Sequence, residues 1–297
     1  MFEGFETKRI EVEGIGINLR QAGSGPPLLL LHGYPQTHVE WHKVAPSLAE
    51  HFTVVCPDLR GYGDSDKPLS SDGDLSTYCK RAMANDQLGV MRALGFEHFH
   101  VVGHDRGVRV GLRLALDHPD AIQSLTNLDV VPSQEAFEAM DSSLAFSWFH
   151  WHLMRQPKPF PETLIGADPQ FYLDFLLDSW TSIEGAITDE AYAEYLRCFS
   201  NPDAIRATCA DYRSVTLDLE HDEIDRGRKL VCPVLVLWGG VMPKRPGWQT
   251  GDKLDMMTVW TQRADNIHGK GLDCGHFIPE ERPDALVSEL ISFLRGE

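Results

Sequence analysis

The stretch Val101-Val102-Gly103-His104-Asp105-Arg106-Gly107 decides the reading. A β-branched run leads into it, and a helical pattern, Val108 to His118, leads out. Gly-x-Asp-x-Gly between a strand and a helix has the form of a nucleophile elbow, whose flanking glycines allow close backbone packing. Serine is the usual occupant of the middle position; here it is Asp105. A carboxylate is already ionised at neutral pH. It is a weak nucleophile toward acyl groups, but it displaces leaving groups from saturated carbon and forms an enzyme ester. The motif alone also fits a plain turn with a helix-capping Asp, so the rest of the chain has to decide.

Outward from the elbow, strands and helices alternate. Residues 8–22 alternate apolar and polar around two glycines, which predicts an edge hairpin. Leu28–Leu31 and Thr53–Cys56 read as buried strands, with a helix over 41–50 between them. A helix over 81–94, strands over 99–102, 122–130, 234–238 and 267–272, and a closing helix over 283–295 complete the pattern. This predicts an α/β fold: a mostly parallel sheet with helices on both faces. Residues 131–225 break the rhythm with clustered aromatics and helical periodicity only. They are expected to form a helical cap between a first core segment, 1–130, and a second, 226–297. The Pro- and Gly-rich stretch 241–251 is expected to be a surface loop without catalytic duty.

Composition narrows the function. A formal net charge of −17 argues against nucleic acid and anionic membrane surfaces as partners. No apolar run reaches membrane-spanning length. The six cysteines show no C-x-x-C spacing, and Met1–Glu6 lack a basic-then-apolar leader. A reducing cytoplasmic location is therefore expected. No ligand-like His/Cys cluster stands out, so neither a metal nor a cofactor is expected.

In open α/β sheets, sites gather at the carboxyl ends of strands. Asp105, Asp129 and the loop holding His276 all fall there, in the order nucleophile, acid, histidine. The next-to-last strand ends Trp238-Gly239-Gly240-Val241-Met242, without a carboxylate, so Asp129 is the expected partner of His276; Asp252 and Asp255 are the alternatives. The backbone N–H groups of Tyr34 and Arg106 are the expected oxyanion donors.

Taken together, His32-Gly33-Tyr34-Pro35, Asp58-Leu59-Arg60-Gly61-Tyr62-Gly63, the elbow and Gly275-His276 resemble the α/β-hydrolase superfamily. Asp at the elbow points to the branch holding haloalkane dehalogenases, epoxide hydrolases and haloacetate dehalogenases. Asp105-Arg106-Gly107-x-Arg109, His150-Trp151 and Asp211-Tyr212-Arg213 are similar to the fluoroacetate dehalogenases. The resemblance implies that Arg106 and Arg109 hold a substrate carboxylate, that His150, Trp151 and Tyr212 surround the leaving halide, and that the protein is a homodimer. Trp180 is a further pocket candidate; His42, His152 and Arg155 are left open.

The residue types fit such chemistry. Haloacetate is an anion, and a second anion must approach its carbon. Guanidinium forks suit bidentate carboxylate binding, and two arginines at a helix N-terminus, against its dipole, want an explanation: an anionic guest, or else solvent or structural acids as first-turn arginines ordinarily have. Indole, phenol and imidazole donors suit a developing fluoride. An epoxide hydrolase is the competing expectation, with Tyr212 and one of Tyr172, Tyr192 or Tyr195 protonating the epoxide oxygen. A small-acid sensor on the same fold is the third.

Overall fold

The buried runs around the elbow form the centre of one eight-stranded sheet. The structure is a computed structural model describing residues 1–241 and 254–296. The strands are β1 (Glu6–Val12), β2 (Ile15–Ala22), β3 (Pro27–Leu31), β4 (Thr53–Pro57), β5 (Phe99–His104), β6 (Ile122–Leu128), β7 (Val234–Gly239) and β8 (Ile267–Leu272). Their order is β1-β2-β4-β3-β5-β6-β7-β8. β1 and β2 form the expected antiparallel hairpin, β2 meets β4 antiparallel, and every later pairing is parallel. Leu28–Leu31 and Val54–Cys56 are fully buried, as strands covered on both faces require. β8 is an edge strand and largely exposed.

Helices follow the strands: α1 (Ala45–Ala49), α2 (Lys80–Ala93) and α3 (Arg106–Asp117) precede β6. Eight helices then lie between β6 and β7, where no strand was expected. They are α4 (Ser133–Glu138), α5 (Ser142–Ser147), α6 (Phe149–Met154), α7 (Phe160–Ala167), α8 (Pro169–Trp180), α9 (Asp189–Phe199), α10 (Pro202–Arg213) and α11 (Val215–Ile224). α12 (Met256–Trp260), α13 (Ile278–Glu281) and α14 (Pro283–Arg295) complete the chain. Among the described residues, no helix is long and apolar enough to cross a membrane.

Two boundaries differ from expectation. The helix over 41–50 is broken into a 3-10 turn, His38–Trp41, and the short α1. Pro46 has no N–H to continue a helical ladder through that point. The strand over 122–130 stops at Leu128, because Asp129 takes a positive φ of 61°. α12 was not expected. Most of the stretch 241–251 lies outside the described residues.

Candidate active site

The sequence β5–Asp105–α3 builds a sharp turn. Asp105 has φ 46° and ψ −111°, a left-handed backbone that costs a non-glycine residue about 1–3 kcal/mol. Tight packing holds it there. A Cβ at Gly107 would fall 2.1 Å from the Leu31 carbonyl oxygen, so only glycine lets α3 settle against the end of β3. The turn pushes the Asp105 carboxyl out beyond the sheet. Its Oδ1 accepts the Tyr34 N–H at 3.0 Å. The Arg106 N–H opens α3, where the first amides have no helical acceptor. Burial would raise the Asp105 carboxyl, but His276, His104, Arg106 and Arg109 outweigh it and hold it below the ordinary range.

Asp129, just beyond β6, also has a left-handed backbone. Its Oδ2 lies 2.7 Å from His276 Nδ1, and its Oδ1 accepts the Gly239 N–H at 2.8 Å. The structure thus brings Asp105, Asp129 and His276 together from beyond the ends of β5, β6 and β8, lining one cavity. Asp255 also lines that cavity, but it caps α12 by accepting the Thr258 N–H at 2.7 Å, while His276 is partnered by Asp129. Asp252 lies outside the described residues.

The two arginines diverge. Arg106 is buried and turned toward α10: Nε donates to Asp211 Oδ2 at 2.9 Å, and Nη2 to Oδ1 of the same carboxylate. Asp211 also accepts the Lys80 ammonium and the Tyr62 hydroxyl, the latter at 2.7 Å. Burial would raise the Asp211 carboxyl, but Arg106 and Lys80 hold it well below the usual carboxylate range. Arg106 is therefore paired inside the protein, on a carboxylate that also takes the Lys80 ammonium, and it does not line the cavity that Arg109 lines. The physical reason is that a fully buried guanidinium needs a counter-charge, and α10 supplies one.

Arg109 faces the cavity. Nη1 donates to the neutral Ser133 Oγ at 2.8 Å, Nε has no partner, and no carboxylate pairs with it among the described residues. Its guanidinium lies 4.6 Å above the Trp151 ring. Burial, then Arg106, pushes it down to about 10, which still leaves it charged at neutral pH.

His150 and Trp151, both on α6, line the same cavity, as does Trp180 at the end of α8. Burial lowers His150 to about 3, so the ring is neutral, and its Nδ1 has no partner. Tyr212 packs behind them, under the Arg106 guanidinium at 4.3 Å, with its hydroxyl buried and unpartnered. Neither Tyr212 nor Tyr34 is part of the cavity wall. His42, His152 and Arg155 lie elsewhere. Of the other tyrosines, Tyr192 donates to Asp174 and Tyr195 to Glu280.

The cavity encloses about 310 Å³. Sequence reasoning missed part of its wall: Trp148, Trp238, Val130, Val131, Leu254 and Met256. Only the aromatic clustering in 146–151 hinted at Trp148. Among the described residues, folding also gathers Cys79, Asp218 and His221, with one ligand atom each within 4.8 Å of one another. Sequence spacing could not show it, and Lys80 already engages Asp218 there.

Comparison with known proteins follows this geometry. The alpha/beta hydrolase fold family matches residues 26–283. The chain is 45% identical over 299 residues to a fluoroacetate dehalogenase of Burkholderia sp, covering 99% of this chain and 95% of that one. It is 33% identical over 286 residues to a soluble epoxide hydrolase of Corynebacterium sp. (strain C12), covering 95% and 94%. A crystal structure described as an alpha/beta hydrolase from Nostoc sp PCC 7120 superposes with a TM-score of 0.94 at 49% identity, covering 99% of both chains.

Proposed function

Because the chain belongs to the α/β-hydrolase family and, within it, to the haloacetate dehalogenases, we propose that it hydrolyses haloacetates, fluoroacetate among them, to glycolate and halide. One observation carries the reading above all: Arg109, a buried cation that no carboxylate pairs with among the described residues, shares a cavity with the Asp105 carboxylate. A neutral guest leaves that charge uncompensated, whereas a carboxylate guest pairs with it.

Two steps follow. The substrate carboxylate pairs with Arg109, cancelling the repulsion that Asp105 would otherwise meet. Asp105 Oδ2 attacks the halogen-bearing carbon in line; the C–O bond forms as the C–X bond breaks, and halide leaves with the electron pair. His150 and Trp151 donate to the departing halide, an electrostatic trap of the oxyanion-hole kind. His276, oriented by Asp129, then takes a proton from water. The hydroxide adds to the Asp105 carboxyl carbon while the oxyanion sits on the Tyr34 N–H, the contact Oδ1 already makes, and on the Arg106 N–H. The ester C–O bond breaks, His276 returns its proton to the departing alkoxide oxygen so that glycolate leaves, and Asp105 gives up the proton of its new hydroxyl to solvent and is restored with one oxygen from water. No step calls for a metal or cofactor.

The epoxide hydrolase reading draws support from the Corynebacterium relative. It needs tyrosine hydroxyls at the guest, and no tyrosine is part of the cavity wall among the described residues. The test incubates the protein with fluoroacetate, chloroacetate and a small epoxide, following halide and diol. Halide release that is lost in Asp105→Asn supports the proposal. Diol without halide selects the epoxide reading, and binding with neither product selects the sensor.

A further inference from the structure

One buried histidine–glutamate pair beneath the elbow has no task in the mechanism above. His104 immediately precedes Asp105, and Glu40 sits in the 3-10 turn His38–Trp41; both side chains are fully enclosed. Glu40 Oε2 accepts from His104 Nδ1 at 3.2 Å and from the Gly33 N–H at 3.0 Å. On the far side of the ring, His104 Nε2 lies 2.9 Å from the His276 carbonyl oxygen. A carboxylate oxygen and a carbonyl oxygen are both acceptors. A neutral imidazole carries one N–H and can satisfy only one of them; the doubly protonated ring donates to both.

The charge is well placed. The His104 and His276 rings lie 4.6 Å apart, and a Cβ at Gly33 would meet both Asp105 Cβ, at 2.7 Å, and His104 Nδ1, at 2.9 Å. Burial works against a charged ring, but Glu40, Asp105 and Asp129 outweigh it and hold His104 up at about 9. Those carboxylates face it from the 3-10 turn, the elbow and the end of β6, while Glu280 of α13 stands beyond Glu40.

We infer that Glu40 and an imidazolium at His104 form a positioning unit that clamps three loops into register: the Gly33–Tyr34 loop, the elbow carrying Asp105, and the loop carrying His276. The same unit keeps a fixed positive charge beside the Asp105 carboxylate. Neither residue touches the cavity; each acts through Tyr34, Asp105 and His276. The inference rests on the reading of Asp105 as nucleophile, and it adds to that reading the device that aligns the nucleophile with its oxyanion donor and its base.

The test compares the wild type with Glu40→Gln, His104→Gln and the double variant, measuring kcat and KM for chloroacetate, melting temperature, and the ¹⁵N shifts of the His104 ring. The expected result for Glu40→Gln is a kcat about 10- to 100-fold lower, as small misalignments produce, with KM unchanged because Arg109 is untouched. The ring, doubly protonated at pH 7 in the wild type, becomes neutral. The double variant loses no more than the worse single, since the two act as one unit. If Glu40→Gln does not fold, the double variant, which leaves no unpaired charge, supplies the kcat and KM. Unchanged kcat, losses that multiply, or a neutral His104 in the wild type would each overturn the inference. If the wild type releases no halide from any haloacetate, the proposed function fails by itself. The ring shifts then decide alone: a charged His104 that turns neutral in Glu40→Gln sustains the pair, and a neutral one in the wild type removes it.

Discussion

His276 Nδ1 stands 2.7 Å from Asp129 Oδ2, so the histidine loop after β8 is tied to the end of β6, two strands away. That bond selects the tautomer with the proton on Nδ1 and leaves Nε2 free to take one from water. In Asp129→Asn the amide no longer enforces this state, and ester hydrolysis is expected to slow by about 10⁴-fold, as with the equivalent change in serine hydrolases. Halide release from the first turnover should survive. Rapid-mix halide assays should show a burst of one equivalent, and intact mass should show the ester on Asp105.

Arg109 is expected to set affinity for the anion. Arg109→Gln removes a charge-assisted pair of about 1.5–3 kcal/mol, which is about 10- to 150-fold in kcat/KM for chloroacetate. Turnover of the neutral chloroacetamide should not fall with it. Arg109→Lys keeps the charge and loses the fork, so it should recover only part. Equal losses for acid and amide would sink this assignment.

Halide preference is expected to report on Trp151. Trp151→Phe keeps the ring under Arg109 but deletes the indole N–H. Donors of this kind contribute about 100- to 1,000-fold to kcat, and fluoride, the poorest leaving group, depends on them most. Fluoroacetate turnover should therefore fall well beyond that of bromoacetate when the two rates are measured side by side.

Glu280 gives a stability prediction. Burial, with Glu40 nearby, pushes its carboxyl up to about 8. Its unfolded value is near 4.3, so across that window the folded state binds the extra proton and stability declines as pH rises from about 4 toward 8. Glu280→Gln removes the titration. Tyr195 can still donate to the amide oxygen, and Gln36, whose Oε1 lacks a partner, can turn to meet the amide N–H. The fall in melting temperature between pH 5 and pH 8 should shrink in this variant, read by calorimetry. An unchanged slope would show that Glu280 is not its source.

The chain alone revealed the sheet, because fully buried strands must be near-continuous apolar runs and most of β3 and β4 is such a run. It also revealed the elbow, whose glycines and turn are local. The order Asp105, Asp129, His276 could be placed at strand ends because parallel strands all point the same way. The partner of each charge was not legible. Arg106 and Arg109 lie on one turn of α3 and look alike in sequence, yet Asp211, 105 residues from Arg106, pairs with that arginine while Arg109 meets only the neutral Ser133 hydroxyl. Glu40 meets His104 across 64 residues. Local pattern determines which segments are strands, helices and turns, because backbone preference and burial act over a few residues. Which buried charge is compensated, and which is left for a guest, was decided only when α4 and α10 packed over the sheet, because electrostatic pairing depends on distance in space and not along the chain.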